Sequence, residues 1–342
     1  MPIKIILLFF ILLLSIACNP NKIDKKEKNY QDSLQKALNN PELDKLNKAL
    51  LSDINNDSLF RERAYLYIKL NQIDAAINDC KRAIKIDSTN IKNHLTLADI
   101  YFASNKTKLS KDKLEQIIKL FPENTEAYLK LAELFYLVKQ YEKSIDYINK
   151  ALKIDASLAK GYYIKGNIYK ESGDTSKAVS SLQTAIEQDN NMTDAYIDLG
   201  IIYSARKNSL ALQYFNNALK INPDNKIALY DKAKFLQDVG EVDKSIEIYQ
   251  YIIKIYPDSP DVLYNMGAIY FALKKDNNKA IEYFTQAIQQ NNNYAEAYYA
   301  RGIVKMGMHQ KLQAKEDFEH CLKLKENFQP AVEAMNELDK HN

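Results

Sequence analysis

A short pattern that ends a helix recurs along this chain at a nearly constant interval. It reads ALKINPDN from Ala218 and recurs in related form as AIKIDSTN from Ala83, IIKLFPEN from Ile117 and ALKIDASL from Ala151. The interval is 34 residues, with single-residue departures. A fixed period of roughly 20 to 50 residues is typical of stacked supersecondary units. The recurrence therefore predicts an array of similar units instead of one irregular core.

Eight units follow from this register. Their predicted bounds are residues 57–90, 91–124, 125–158, 159–192, 193–225, 226–259, 260–294 and 295–328. The fifth unit is one residue short near RKNSLAL, and the seventh is one residue long near KKDNNKA. We expect both differences at the turn between the two helices of a unit, because surface turns tolerate insertions and deletions.

The side-chain sizes within a unit predict a pair of packed helices. The eighth position holds only Ala or Gly: Ala64, Ala98, Ala132, Gly166, Gly200, Ala233, Gly267 and Gly302. The fourth position, one helical turn earlier, is bulky in every unit, so a partner helix can approach closely beside the small residue. Glycine and proline occur only eight times each in 342 residues, which favours helix over turn-rich folds. We predict an all-α chain.

The spacing of aromatic, small, aromatic, Ala, aromatic, Ala and Pro residues resembles the tetratricopeptide repeat over about four fifths of the chain. The resemblance implies a right-handed superhelical solenoid of antiparallel helix pairs, with the first helices lining a concave groove. Residues 30–56 are then expected to be N-terminal capping helices, and residues 329–342 a C-terminal capping helix. The stacking follows from the residues as well, since one 34-residue hairpin cannot bury its apolar face alone.

The groove that the resemblance implies carries aromatic and aliphatic residues at positions 5 and 12 of the first helices. We predict that a partner binds there, because exposed apolar patches usually mark an interface. The candidate residues are Phe102, Tyr136, Tyr163, Tyr230, Tyr264, Phe271, Tyr299 and Met306. For Leu95, Leu129 and Ile197, which also occupy position 5, burial between repeats is the alternative. Only Asn167 fits the clamp with which some family members hold a carboxylate, so that clamp is not expected.

The first residues predict export. Residues 1–17 contain Lys4 and then a 13-residue apolar or small stretch, about 20 Å of helix at ~1.5 Å per residue, too short to span a bilayer core of ~30 Å. The segment from Ser15 to Cys18 resembles a bacterial lipobox, which implies lipidation of Cys18. Residues 18–29 then form a polar tether, and Asn19 implies sorting to the outer membrane. Cleavage by the ordinary secretory peptidase is the alternative.

Composition argues against several kinds of partner and chemistry. The formal charge of +3 reflects 47 basic and 44 acidic residues, so no strong attraction to nucleic acid is expected. The four histidines have no ligand spacing, and no phosphate loop or nucleophile motif occurs. Cys80 and Cys321 occupy predicted core positions seven repeats apart and are expected to be free thiols. We therefore expect no metal, no cofactor and no enzymatic activity.

Two function classes remain. The first is a scaffold anchored to the bacterial cell envelope by its lipid, which binds a protein or peptide segment in the groove and supports assembly of an envelope complex. The alternative is a ligand-binding lipoprotein, such as a glycan receptor, that uses the groove tyrosines as stacking platforms; the absence of Trp disfavours it. Self-association stays open in either case.

Overall fold

The computed structural model describes residues 40–340, and within this range every regular element is an α-helix. The chain divides into two compact units, one ending at Ile164 and the other beginning at Lys165. The helices up to that boundary are α1 Pro41–Ser52, α2 Asp57–Lys69, α3 Ile73–Ile86, α4 Ile91–Ala103, α5 Thr107–Leu120, α6 Thr125–Leu137, α7 Tyr141–Ile154 and α8 Ala159–Glu171, which crosses it. The second unit continues with α9 Thr175–Gln188, α10 Thr193–Ser204, α11 Leu210–Ile221, α12 Lys226–Asp238, α13 Val242–Ile255, α14 Pro260–Ala272, α15 Asn277–Gln290, α16 Ala295–Gly307, α17 Lys311–Leu324 and α18 Gln329–Lys340. The prediction of an all-α chain is confirmed.

The N-terminal predictions lie outside the described residues. These are the signal peptide of residues 1–17, the lipidated Cys18, the tether to residue 29 and the first part of the N-terminal cap. The later part of the predicted cap contains α1, whose Leu43 and Leu50 are buried against α2. At the other end, α18 packs Ala334 and Leu338 against Phe318 of α17.

The recurring pattern at the end of each unit is a turn that also starts the next helix. Asn56, Asn124 and Asn225, each the N-cap residue of a first helix, accept a hydrogen bond from the backbone N–H three residues later. Such a cap satisfies one of the N–H groups that a helix start leaves without a partner. The pattern ALKINPDN therefore recurs because its last residue begins a helix as well as following one.

The turn inside each hairpin places one residue in the left-handed region, with φ between 50° and 87°. In the fourth repeat, Gly173 N–H donates to the Lys170 carbonyl at 3.2 Å and Asp174 N–H to the Tyr169 carbonyl at 2.9 Å. This pair of bonds closes a helix C-terminus and requires a left-handed residue after it. The residues concerned are Asn71, Asn105, Lys139, Gly173, Lys207, Gly240, Lys275 and His309.

The two irregular repeats absorb their length changes differently. In the seventh repeat, the extra residue lengthens the turn between the helices to Leu273–Asp276, as predicted. In the fifth repeat, α10 and α11 are 12 residues each and the turn runs from residue 205 to residue 209. The deletion thus goes with shorter helices and not with a shorter turn. The shorter second helix still places its buried residues Ala211, Phe215 and Ala218 on one face.

The small residue at the eighth position allows the two helices of a hairpin to touch. A Cβ atom added to Gly200 would lie 2.5 Å from Cε1 of Phe215, and one added to Gly267 would lie 2.7 Å from Cδ1 of Phe284. Real Cβ atoms do not approach other atoms so closely, so these two glycines are required by packing. Ala233 shares a core cluster with Tyr249, which shows that one hairpin accommodates a ring beside a methyl group.

Candidate protein-docking surfaces

The position-5 tyrosines of the second unit are half-buried, and their rings pack against other rings of the chain. The ring centroid of Tyr264 lies 5.3 Å from that of Tyr294 and 5.5 Å from that of Phe284. Tyr299 lies 5.3 Å from Phe328 and 6.0 Å from Phe318. These side chains therefore contribute to packing between helices, and only part of each ring is available to a partner.

Tyr230 is held in the same way. Its ring meets Tyr249 edge-on at 6.0 Å, and its hydroxyl accepts a hydrogen bond of 2.9 Å from Nδ2 of Asn265. Burial raises the pKa of the Tyr249 phenol beside it. Phe271 and Met306 are likewise half-buried against neighbouring helices. The predicted binding residues of this unit thus share their side chains between the core and the surface.

The first unit leaves more of its candidate residues accessible. Phe102 is 45% exposed, and Tyr136 and Tyr163 are half-buried. Leu95 and Leu129 are buried, as is Ile197 in the second unit, so the alternative of burial between repeats is confirmed for these three.

A row of polar contacts runs across the first helices of the first unit, and we call it the first-helix face: Tyr65, Asp99, Phe102, Lys130, Glu133, Tyr136 and Lys160. Tyr65, at position 9 of the first repeat, is 45% exposed and its hydroxyl lies 3.5 Å from Oδ2 of Asp99. Nζ of Lys130 lies 2.8 Å from Oδ1 of Asp99, and Nζ of Lys160 lies 2.7 Å from Oε1 of Glu133. The face therefore alternates aromatic rings with paired charges on neighbouring repeats.

The half-buried carboxylate of Asp231 in the second unit lacks a close partner. Asp198 pairs with Lys170, whereas Asp231, one repeat later, makes no hydrogen bond or ion pair among the described residues. Burial raises the pKa of Asp231, the charge of Lys234 opposes that rise, and the charge of Asp198 adds to it. The folded chain thus carries an unfavourable negative charge at this point.

A cleft of the first unit lies between the second helices α5 and α7 and shares Phe102 with the first-helix face. It measures about 840 Å³ and we call it the α5/α7 cleft. It is lined by Phe102, Thr107, Lys108, Lys111, Glu115, Leu134, Phe135, Leu137, Val138, Gln140, Glu142, Lys143, Asp146 and Tyr147. Leu137 and Val138 are 59% and 58% exposed at its edge. Of the predicted groove residues, Phe102 alone lines this cleft.

Lys143 lines the cleft on the α7 side. In the sequence it occupies a polar second-helix position. In the structure its Nζ lies 5.4 Å from the Phe135 ring centroid and donates to Oε1 of Gln140 at 2.9 Å. Because a cation over an aromatic face contributes about 0.5 to 1 kcal/mol at exposed sites, Lys143 is part of the cleft wall.

The described residues hold no group of His, Cys, Asp and Glu side chains suited to a metal ion. His94 is buried, with Nε2 2.9 Å from the Ser88 carbonyl and Nδ1 2.8 Å from Nζ of Lys113. Burial lowers its pKa. Cys80 and Cys321 are buried free thiols, and burial raises the pKa of Cys80 to about 12. Within residues 40–340, none of the helices has the length and apolar character needed to cross a membrane.

Comparison with known proteins identifies the repeats. Three family models, each described as tetratricopeptide repeat, match residues 95–159, residues 204–264, and residues 62–90, 159–192, 260–294 and 295–328. Among curated proteins, RNA polymerase II-associated protein 3 of Xenopus tropicalis is 34% identical over 125 residues, 36% of this chain and 18% of that protein. The UDP-N-acetylglucosamine–peptide N-acetylglucosaminyltransferase of Giardia intestinalis is 32% identical over 71 residues, 21% of this chain and 5% of that protein. The chain therefore matches less than a fifth of the length of these relatives.

Solved structures share the fold. The C-terminal part of a TPR repeat-containing protein from Cytophaga hutchinsonii has a TM-score of 0.59 at 16% identity, covering 70% of this chain and 98% of that one. The Cut9–Hcn1 hetero-tetramer of the APC/C gives 0.52 at 16% identity, covering 94% of this chain and 64% of that one. Together with the family models, which span most of residues 62–328, these similarities mean that the chain belongs to the tetratricopeptide repeat family.

Proposed function

We propose that this protein is a non-catalytic scaffold of the bacterial cell envelope that binds a segment of another protein on its first-helix face. The observation that carries the proposal is the exposed ring of Tyr65 beside the Asp99–Lys130 ion pair, with Phe102 exposed one turn beyond Asp99. Exposed aromatic side chains that are not used in packing within their own chain are typical anchors of protein interfaces.

The paired charges support specific binding of a partner over non-specific hydrophobic association. Nζ of Lys130 lies 2.8 Å from Oδ1 of Asp99 and 3.4 Å from Oε1 of Glu126, so two carboxylates orient this cation in the free protein. A preorganised polar rim reduces the entropy lost on binding and selects partners by charge. Three adjacent repeats contribute to this rim, which suits an extended segment that crosses several first helices.

The glycan-receptor alternative draws less support from the same residues. The rings of Tyr230, Tyr264 and Tyr299 already stack or pack against rings of their own chain. A sugar-stacking platform needs an open ring face, and these rings offer only part of one. We retain Tyr163, Tyr230, Tyr264, Phe271, Tyr299 and Met306 as secondary contacts of the proposed protein partner.

The envelope location rests on the sequence of residues 1–29. A short apolar stretch followed by Ser15, a small Ala17 and Cys18 supports export and lipidation, and the polar residues 19–29 support a tether. A single acyl chain binds membranes only marginally, whereas several chains on one residue anchor a protein stably. The scaffold would then present its repeats close to a bilayer surface, and Asn19 after Cys18 supports sorting to the outer membrane.

The binding proposal is tested by truncating one exposed tyrosine and comparing it with another. Tyr65→Ala removes a ring that is 45% exposed, and its matched control Tyr251→Ala removes one that is 40% exposed and also bonds an aspartate. We expect Tyr65→Ala to weaken co-purification of envelope partners by roughly thirtyfold in affinity, with an unchanged melting temperature. Equal retention of every partner by Tyr65→Ala and Tyr251→Ala would place binding elsewhere.

The anchor is tested separately. Labelled palmitate should enter the wild-type protein and not the Cys18→Ala variant, which should move from the membrane to the soluble fraction. An unlabelled wild-type protein that is soluble in the periplasm would show that the ordinary secretory peptidase removes the signal.

A further inference from the structure

Charged side chains at the sixth position of two first helices reach across to the preceding repeat. In the first unit, Nζ of Lys130 lies 2.8 Å from Oδ1 of Asp99, which holds the ninth position of the first helix before it. In the second unit, Asp198 pairs with Lys170, which holds the twelfth position of the first helix before it. A charge at the sixth position therefore finds its partner on the preceding first helix.

Asp231 holds the sixth position of its own first helix, α12, and has no such partner. The preceding first helix, α10, offers Ile201 at the ninth position and Ser204 at the twelfth, and its sequence TDAYIDLGIIYS contains no cation. The following first helix, α14, has the sequence PDVLYNMGAIYFA, which also contains no cation. The half-buried carboxylate of Asp231 thus belongs to a helix whose neighbouring first helices cannot neutralise it.

The nearest cation on the same helix does not compensate this charge. Lys234 lies three residues after Asp231 and is exposed, and within the described part of the chain it forms no ion pair. Burial, to which the charge of Asp198 adds, outweighs the charge of Lys234, so the pKa of Asp231 stays raised. A cation supplied from outside the chain would therefore be bound favourably.

The amide at the sixth position of the next repeat is also committed elsewhere. Nδ2 of Asn265 donates to the hydroxyl oxygen of Tyr230 at 2.9 Å and to that of Tyr249 at 3.4 Å. These two bonds use both hydrogens of the amide nitrogen. Asn265 thus has no donor left for the carboxylate of Asp231.

The surroundings of the carboxylate select the class of cation. Ile201 is 39% exposed, and it has the register relative to Asp231 that Asp99 has relative to Lys130. An apolar side chain beside a carboxylate suits Lys or Arg, whose methylene stem covers apolar surface while the charged head stays at the polar group. A calcium or magnesium ion needs several oxygen ligands, and the described residues hold no such group.

We propose that Ile201 and Asp231 form a subsite that binds a Lys or Arg side chain of the partner segment, with its stem on Ile201 and its charged head on the carboxylate of Asp231. The inference rests on the proposed function, in which residues of the second unit such as Tyr230 and Tyr264 are secondary contacts of that segment. It adds that the segment is basic where it meets α10 and α12.

The geometry is tested by supplying the cation from the chain itself. Ile201→Lys places an ammonium group where Asp231 should reach it, as Lys130 reaches Asp99. We expect Ile201→Lys to raise the melting temperature at pH 7, and the same change in the Asp231→Asn protein to raise it no further. Ile201→Met is the matched control, because Met has a similar length and helix propensity to Lys without the charge.

The occupant is tested by selecting displayed random peptides of about 12 residues on the full protein. Wild type should enrich peptides that contain Lys or Arg, and Asp231→Asn should bind those peptides about tenfold more weakly with unchanged circular dichroism. Asp231→Lys should enrich Asp or Glu instead, and Ile201→Lys should lose the basic preference because its own cation fills the subsite. Asp238→Asn, which removes an exposed carboxylate from the same helix, should select as wild type does.

Two results would overturn the subsite and leave the proposed function standing. One is enrichment by wild type of peptides without a basic preference, or with the same preference as Asp231→Asn. The other is an equal effect of Ile201→Lys on the melting temperature with and without the carboxylate of Asp231, which would mean that the two side chains are out of reach. No enrichment of any peptide by wild type would count against the subsite and the proposed function together.

Discussion

Replacement of Gly200 by Ala tests the close approach of helices on which the repeat depends. The added Cβ would lie 2.5 Å from Cε1 and 2.6 Å from Cδ1 of Phe215, where ordinary contacts are 3.4 to 4 Å. The ring must therefore move by about 1 Å. It is fully buried and also packs against Ala211 and Phe235, so it has little freedom to do so.

The expected magnitude is a difference of two opposing effects. Alanine in a helix interior is favoured over glycine by about 1 kcal/mol, whereas overpacking of a tight core typically costs ~1 to 3 kcal/mol. With a contact this short we expect the upper part of that range, and hence a net loss of about 1 to 2 kcal/mol for Gly200→Ala. Gly307→Ala is the matched control, because a Cβ at Gly307 meets nothing within 4 Å, and it should be neutral or slightly stabilising.

A second substitution should rescue the first. In the second repeat Ala98 packs with Leu114 in one cluster, so the combination of Ala and Leu already occurs at the two corresponding positions. Phe215→Leu alone should destabilise the protein by leaving a cavity, yet the pair Gly200→Ala and Phe215→Leu should be more stable than the sum of the two changes predicts. A coupling free energy of roughly 1 kcal/mol or more is expected for residues in contact.

The assay must resolve one repeat within an array. Repeat arrays lose two-state behaviour as they lengthen, so urea unfolding followed by circular dichroism is combined with amide hydrogen exchange in α10 and α11. The protection of these two helices should fall in Gly200→Ala and recover in the double variant. If Gly200→Ala matches Gly307→Ala in both measurements, the helices are not in close contact and the register of the repeats is wrong.

Three further predictions concern the turns, the buried charges and pH. Lys139→Gly should raise the urea midpoint, and Gly173→Ala should lower the free energy of unfolding by about 1 kcal/mol. The reason is that Lys139 and Gly173 have positive φ angles of 58° and 79°. Asp317→Ala should cost about 3 to 5 kcal/mol in urea unfolding, since it leaves Arg301, bonded to it at 2.6 Å and 3.0 Å, charged and without that partner; a smaller loss than for an exposed Asp→Ala change would contradict this. Burial raises the pKa of Asp231 above 3.8, so the folded protein holds the proton of this carboxyl group more tightly than the unfolded chain does. The stability that this proton contributes is therefore present below pH 3.8 and is lost as the pH rises through the raised pKa of the folded state. Asp231→Asn should thus stabilise the protein at pH 7 in thermal melts and not at pH 3, and an equal effect at both would exclude titration as the cause.

The first and last repeats each contain an Arg–Asp ion pair between their two helices. Arg63 and Asp79 of the first repeat form a two-bond pair at 2.7 Å, with Nη1 of Arg63 also reaching Asn47 of α1 at 2.8 Å. Arg301 and Asp317 hold the corresponding positions in the last repeat. Buried pairs of this geometry fix register more than they add stability. The first pair thus joins its repeat to α1, whereas Nη1 of Arg301 donates to Oγ1 of Thr285 in the preceding repeat at 3.0 Å.

The hairpin fold could be predicted from the sequence because its determinants are local. Helix starts depend on residues such as Asn225, which caps the helix that follows it, and close packing depends on a small residue recurring at one position. Each repeat contacts mainly its neighbours, so the same local pattern repeated eight times specifies the whole array. The left-handed turns were less visible, because only Gly173 and Gly240 among the eight turn residues are glycine.

Which of the predicted groove side chains stay exposed is decided by the tertiary structure alone. The sequence places Tyr264 and Tyr299 on a helix face that their own hairpins need not cover, but Tyr294 and Phe328, from the turns after the second helices, reach them and bury much of each ring. Whether a ring is exposed depends on the spacing between helices, which no single repeat encodes.

The α5/α7 cleft has the same origin. Its lining includes both Phe102 near the end of α4 and Val138 just after α6, residues more than one repeat apart. In the sequence these are two ordinary apolar residues near turns. Only the stacking of one hairpin on the next brings them together, because a cleft is a property of the space between elements, whereas periodicity describes each element by itself.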